Sequence, residues 1–169
     1  KSQDVTTVAA AQGALGNAYW ALGTYQDALN AHQKSLSLAC QINNTNFITT
    51  SLNNLGNVFA SRADRFRFQA IAASLEGDSI SEADWKNQAE RDSRLALAAY
   101  RQSAEVSRSI GSMAEARALL NFNRLLEKGS ANLVASTPEL RCESLNLSAL
   151  LTAKALLSNS STPADISQK

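Results

Sequence analysis

Proline and aromatic residues are scarce in this chain. Its 169 residues include two prolines, and aromatic residues make up 6%. So little proline leaves long stretches free to form uninterrupted helices. The many Ala and Leu residues favour helices that pack closely through small side chains. The composition therefore predicts an all-α fold, with enough length for one compact domain or a few helical units.

An excess of charge of either sign and a long apolar run are also missing. The formal net charge is +1, and 18% of the residues are charged. This balance gives no electrostatic basis for binding nucleic acid or an anionic membrane surface. No apolar run approaches the roughly 18 residues that a membrane-spanning helix needs. We therefore expect no nucleic-acid or membrane partner and a cytoplasmic location. Because the chain begins at Lys1 and its first Met is Met113, we also expect it to be a piece of a longer protein.

The residues that usually carry chemistry are few and scattered. His32 is the only histidine, so a hydrolase triad or a metal site would depend on it alone. The seven glycines form no phosphate-binding loop. Cys40 and Cys142 lie about a hundred positions apart, and we interpret them as small buried residues rather than as a disulfide or a metal pair. We expect no catalysis, no metal and no cofactor.

One short phrase occurs twice, forty positions apart. Leu-Gly-Asn-Ala-Tyr at 15–19 returns as Leu-Gly-Asn-Val-Phe at 55–59. Self-similarity at such a period is typical of arrays of stacked helices. These arrays usually bind partners along a curved surface.

Helical spacing around the first copy predicts a pair of helices. The apolar stripe of the first helix is Val8, Ala11, Leu15, Ala18, Tyr19 and Leu22. Gly23 ends this helix, and a second one begins near Tyr25. The predicted buried face of the second helix is Ala28, Leu29, His32, Leu36, Ala39 and Ile42. Gly16 and Ala28 are small, as residues must be where two helices cross closely.

This pattern resembles the tetratricopeptide repeat. The residues that carry the resemblance are Leu15, Gly16, Tyr19, Gly23, Tyr25 and Ala28 in unit one, Leu55, Gly56 and Phe59 in unit two, and Phe122, Asn123 and Leu126 in unit three. The second-helix phrase that starts at His32 also recurs, starting at Tyr100. The period of 40 is similar to that of the long-helix arrays in kinesin light chains and in bacterial, including cyanobacterial, signalling proteins, where such arrays often precede a CHAT protease domain. The resemblance implies a right-handed solenoid of about three units.

The two phrases recur at different intervals, which locates an insertion. The first-helix phrases are 40 positions apart and the second-helix phrases 68, so 28 residues are inserted in unit two. We expect both of its helices to be longer, forming a protruding hairpin over about 62–90 that carries Phe68 and Trp85. A capping box that starts at Ser79 or Ser81 would begin its second helix. The predicted solenoid spans 1–158, with unit one at 4–43, unit two at 45–111 and unit three at 112–158. Residues 159–169 would be a frayed tail.

The first helices of such an array line its concave groove, which supplies the candidate binding residues. They are Asn17, Trp20, Asn53, Asn54, Asn57, Arg117, Asn121 and Arg124, with Ser61 and Lys128 beside them. Asn can pair with the main chain of an extended peptide, and Arg can grip a carboxylate. Trp20 could instead pack beneath an earlier repeat that is absent from this fragment. Two other interpretations of the polar residues stay open. The asparagines could simply interlock neighbouring helices, or the set could be the carboxylate clamp of some tetratricopeptide co-chaperones, although Gly13 and Asn121 replace two of its basic groups.

These features predict a non-catalytic protein–protein interaction scaffold, which binds a peptide or a partner helix in its groove and belongs to a larger regulatory or signalling protein. The alternative is a structural spacer array that forms homo-oligomers and fills its own groove.

Overall fold

The computed structural model describes residues 2–130, and this part of the chain is helical without strands. The predicted all-α class is therefore confirmed. The elements are α1 (Ser2–Ala21), α2 (Tyr25–Gln41), α3 (Thr45–Glu76), α4 (Ser79–Ser109), α5 (Ala114–Leu125) and a π-helical turn (Leu126–Ser130). The part of predicted unit three beyond residue 130, the tail at 159–169 and Cys142 lie outside the described residues. No helix within 2–130 is long and apolar enough to cross a bilayer.

Short turns make the helices run back and forth. Turns of two to four residues separate α1 to α5, and each helix packs against the next. Helices joined by such turns lie antiparallel to their neighbours. Gly23 ends the first hairpin turn with a φ of 75°, and Gly77 has a φ of 76° at the tip of the second. A side chain at either position would be strained, which explains why glycine stands there.

Alternate helices also touch, because α1 contacts α3 and α3 contacts α5. These three helices therefore form one layer, while α2 and α4 pack behind them. The shared core contains the residues Leu29, Leu36, Ile48, Leu52, Val58, Leu97 and Val106. One face of the layer formed by α1, α3 and α5 carries the candidate site.

The same contact between a glycine and a ring holds each of the first two hairpins together. A Cβ at Gly16 would lie 2.6 Å from the Cε1 atom of His32, and a Cβ at Gly56 would lie 2.4 Å from the Cε1 atom of Tyr100. Both rings are buried. Glycine is therefore required on the first helix of each pair, because the ring of the second helix occupies the space that a methyl group would need. The sequence alignment of His32 with Tyr100 corresponds to this shared contact.

The structure corrects the prediction for Cys40. This residue is fully buried, as expected, but it is disulfide-bonded and not free. Composition and spacing alone favoured a thiol, because nothing local in the sequence shows which segments meet in space.

Most of the apolar stripe of α1 is exposed. Val8, Leu15 and Leu22 are 43%, 41% and 76% exposed, and Ala11 and Ala18 are exposed as well. The stripe is apolar, but α1 has a described neighbour on one side only, where Ala9 and Gly16 are buried. Burial of a helix face requires a second helix on that side, and periodicity cannot show whether one is present.

The second hairpin is longer than the first. Its helices α3 and α4 have 32 and 31 residues, against 20 and 17 in α1 and α2. Asp78 is the N-cap of α4, since its side chain accepts a hydrogen bond from the Ser81 backbone N–H at 3.0 Å. The prediction of a cap at Ser79 or Ser81 is therefore wrong, because three competent capping side chains lie within four positions and the carboxylate of Asp78 is the one that reaches an unpaired N–H.

An ion pair ties α3 to α4 near the middle of the long hairpin. Arg62 donates through Nε and Nη2 to the two carboxylate oxygens of Asp92 at 2.5 and 2.9 Å. Asp92 is buried, and the guanidinium of Arg62 lies over the rings of Phe59 and Phe66. Further out, Phe66 stacks on Trp85 with ring centroids 5.6 Å apart.

His32 supports a prediction of pH-dependent stability. The side chain is 1% exposed, and neither ring nitrogen has a hydrogen-bond partner within the described residues. Burial lowers the pKa of His32 from 6.5 to about 4. The unfolded chain therefore binds a proton at this residue between about pH 6.5 and 4, whereas the folded chain does not. We expect the full free energy of unfolding above pH 6.5 and a loss of up to about 3 kcal/mol as the pH falls to 4.

His32→Tyr is the matched variant for this measurement, because a tyrosine occupies the equivalent position at Tyr100. The Tyr100 hydroxyl donates to Asn57 Oδ1 at 3.0 Å, and Asn17 is the equivalent residue in the first hairpin. Urea denaturation of both proteins at several pH values should show a stability difference that widens as the pH falls. A difference that stays constant with pH would contradict the assignment.

Candidate functional site

Asparagines join the three helices α1, α3 and α5 across one face. Asn54 Nδ2 donates to Asn17 Oδ1 at 3.3 Å, which links α3 to α1. Asn121 Nδ2 on α5 lies 3.1 Å from Asn53 Oδ1 and 3.3 Å from Asn57 Oδ1, both on α3. These amides therefore connect neighbouring helices, as one of the interpretations of the sequence proposed.

Next to these asparagines lies an open groove of about 290 Å³. Residues of α1, α3, α4 and α5 and of the π-helical turn line it: Trp20, Asn57, Ala60, Ser61, Asp64, Tyr100, Asn121, Arg124, Leu125 and Lys128. Four of the eight predicted site residues are in this set, namely Trp20, Asn57, Asn121 and Arg124. Ser61 and Lys128, which the sequence places beside them, line the groove as well.

The other four predicted residues lie outside the groove lining. Asn17 and Asn54 bond to each other next to it, and Asn53 is buried beneath Asn121. Arg117 is exposed on α5, about two turns before Arg124. Asn17, Asn54 and Arg117 are the three residues that match the co-chaperone clamp. None of them lines the groove.

Trp20 and Tyr100 form the aromatic part of the groove. Trp20 is 38% exposed, and its indole Nε1 donates to Ser61 Oγ at 2.9 Å, which holds the ring in place. Tyr100 is buried and reaches the groove through its hydroxyl. Burial and the negative charge of Asp64 raise the pKa of Tyr100 above its usual value of 10. Its hydroxyl therefore stays a hydrogen-bond donor at neutral pH.

The charged groups of the groove differ in whether they are paired. The Asp64 carboxylate binds Lys128 Nζ at 2.7 Å and Arg67 Nη1 at 2.7 Å. Arg124 is exposed and has no hydrogen-bond or ion-pair partner within residues 2–130. Within residues 2–130, the Arg124 guanidinium is thus available to a ligand, and the Asp64–Lys128 ion pair lines the same groove.

Four groove residues are not among the candidates from the sequence, namely Ala60, Asp64, Tyr100 and Leu125, and of these Asp64 and Tyr100 bring polar groups. Asn57, Ser61 and Asp64 follow a spacing of four and three residues, so the helical period could have placed Asp64 on the same face. However, Asp64 falls within the predicted hairpin at about 62–90, which the sequence separates from the groove. In the sequence Tyr100 stands only as the start of the repeated second-helix phrase, and its place in the groove depends on its hydroxyl reaching Asn57 on α3, a contact between residues 43 positions apart.

Within the described residues, the side chains that usually carry chemistry are not gathered in the groove. His32 is enclosed between α1 and α2, away from the groove lining. The groove contains one carboxylate, Asp64, and no cysteine or histidine. Within residues 2–130 no three His, Cys, Asp or Glu side chains are grouped so that they could hold a metal ion.

Comparisons with protein families, with curated proteins and with solved structures give no match for this chain.

Proposed function

We propose that this chain is a non-catalytic protein–protein interaction scaffold, which binds a peptide or a partner helix in the groove between α1, α3 and α5. The observation that carries the proposal is the exposed Trp20 and the unpaired Arg124 in one open groove. Trp and Arg are the residue types most enriched at the energetic centres of protein interfaces. Within residues 2–130, no helix covers the exposed surface of Trp20, and Arg124 has no hydrogen-bond or ion-pair partner.

The asparagines of the groove support this function because they are held in place and still have bonding capacity. Asn57 Oδ1 accepts from Tyr100 and Asn121, while Asn57 Nδ2 makes no hydrogen bond within the described chain. Asn121 Oδ1 is likewise free to accept. A fixed donor and a fixed acceptor suit the backbone of an extended peptide, since little side-chain entropy is lost on binding. Interlocking of helices and peptide binding are thus compatible roles for the same residues.

The finer architecture that we propose is a right-handed tetratricopeptide-like solenoid of about three units. The repeated contact of Gly16 with His32 and of Gly56 with Tyr100 supports it, as does the contact between alternate helices. Membership of a CHAT-linked or other signalling protein rests on the sequence resemblance. The cytoplasmic location stays a prediction, and the disulfide of Cys40 counts against it, because disulfides are rare in reducing compartments.

The test uses a random-peptide library displayed on phage and selected against the full chain. We expect peptides to be enriched, and we expect Arg124→Ala to weaken binding of the best synthetic peptide by about tenfold or more, because a central arginine of an interface is lost. Arg117→Ala is the matched control, since it removes an exposed arginine of the same helix outside the groove. Isothermal titration calorimetry would measure both. Equal affinities for the two variants and the wild type would place the binding surface elsewhere.

The alternative function, a homo-oligomerising spacer with a self-filled groove, draws support from the bonds among Asn17, Asn53, Asn54, Asn57 and Asn121. In a spacer these amides would serve only to join helices. Failure of the library to yield any peptide, together with an oligomeric chain in solution, would favour it.

A further inference from the structure

The distal half of α3 exposes a row of large apolar side chains. Phe68, Ile71 and Leu75 are 72%, 58% and 85% exposed. Their spacing of three and four residues places them on one face of the helix. Three large apolar side chains in a continuous exposed row indicate an interaction surface.

This row is not buried in the contact between α3 and α4. The buried residues in the same stretch of α3 are Ala70 and Ala73, and α4 contributes the buried Ala89. Ile71 and Leu75 lie at the edge of that contact, where they line an open cavity with Glu82 and Lys86 of α4, and most of their surface stays exposed. Their exposure shows that no described helix covers the row.

Two unpaired charges of opposite sign flank the row. Arg65 lies one turn before Phe68, and Glu76 follows Leu75 directly. Both are exposed and make no ion pair within residues 2–130. At 100° per residue the two side chains project from the same flank of α3 and are roughly 16 Å apart along its axis. A partner helix that complements this face must therefore present a negative charge near Arg65 and a positive charge near Glu76.

We propose that a second copy of this chain covers the row, packed antiparallel against α3 about a two-fold axis between Ile71 and Ala72. In this arrangement Phe68 of each copy faces Leu75 of the other, and Arg65 comes near Glu76 of the other copy. A two-fold axis keeps the charged flanks on the same side, so both ion pairs form. In a parallel dimer the two-fold axis would run along the helices and put the charged flanks of the two copies on opposite sides, so neither ion pair would form. The charge pattern thus selects the antiparallel dimer.

The first test measures the mass of the full chain by sedimentation over about 1 to 100 μM, a range that covers ordinary dimer affinities. The proposal predicts a dimer, with Ile71→Glu weakening dimerisation about a hundredfold or more, because two carboxylates would meet near the axis. Met113→Glu is the matched control. It adds the same charge at a residue that is 87% exposed, in the turn before α5, and it should leave the dimer intact. Circular dichroism would verify that both variants are folded.

The second test distinguishes this dimer from other arrangements by reversing the charges. Arg65→Glu or Glu76→Arg alone should weaken dimerisation by roughly tenfold, since each creates two like-charge contacts at the surface. The double variant Arg65→Glu with Glu76→Arg should restore the wild-type affinity.

Three outcomes would overturn the proposal. A monomer at every concentration would mean that another part of the chain or a different protein covers the row. A dimer that Ile71→Glu leaves intact would place the contact elsewhere. A dimer that Ile71→Glu disrupts, but whose double charge reversal fails to restore affinity, would exclude the antiparallel arrangement.

Discussion

Replacing Arg62 by Met is expected to lower the free energy of unfolding by about 3–5 kcal/mol, because the Asp92 carboxylate would stay buried and lose the one charged partner that it has within residues 2–130. Methionine keeps most of the apolar contact with Phe59 and Phe66, so the loss would report the charge rather than packing. Urea denaturation followed by circular dichroism would measure the change.

The control is the double variant Arg62→Met with Asp92→Leu. It removes both charges and leaves no unpaired group, so we expect it to recover most of the stability lost in Arg62→Met. Losses that simply add in the double variant would mean that the two residues act independently. The ion pair would then not be what joins α3 to α4 at this point.

Gly56→Ala is expected to destabilise the chain by about 3 kcal/mol, because its methyl group would lie 2.4 Å from Tyr100 Cε1 and 2.6 Å from Cδ1. The Tyr100 ring is buried and its hydroxyl is bonded to Asn57, so it cannot move aside without breaking other contacts. The helices α3 and α4 would have to separate. Thermal and urea denaturation would measure the effect.

Gly13→Ala is the matched control for this change. A Cβ at Gly13 would lie 3.5 Å from Ser35 Oγ, which is an ordinary contact distance. An alanine inside a helix is favoured over glycine by about 0.5–1 kcal/mol, so this variant should be more stable than the wild type. If Gly56→Ala were as stable as Gly13→Ala, the close approach of the helix to the Tyr100 ring would be wrong.

The sequence was most informative where its signals were local. Gly23 and Gly77 marked turns, because only a positive φ closes them without strain. Gly16 and His32 recur in the sequence as Gly56 and Tyr100, and this recurrence identified equivalent helix contacts. In each hairpin the glycine of the first helix leaves room for the ring of the second.

One local prediction failed, because Asp78 and not Ser79 or Ser81 caps α4. The other differences concern contacts between distant segments. Leu15 and Leu22 have the right period for a buried stripe, yet they are exposed because no described helix packs on that side of α1. The disulfide of Cys40 depends on which segments meet, and the spacing of the cysteines does not report this. In the groove, Asn57 and Asn121 could be placed on the correct face, but their mutual hydrogen bond joins residues 64 positions apart.

The most direct test of the proposed groove uses the two tryptophans of the chain as separate probes. The Trp20 indole lies in the groove and donates to Ser61, whereas Trp85 stacks on Phe66 in the long hairpin. A nitrogen–proton correlation spectrum of the full chain therefore contains one indole signal for each region, which Trp20→Phe would assign. On titration with the best peptide of the library, we predict that the Trp20 signal shifts and the Trp85 signal stays in place. A shift of Trp85 alone, or saturating peptide that moves neither signal, would contradict a recognition groove between α1, α3 and α5.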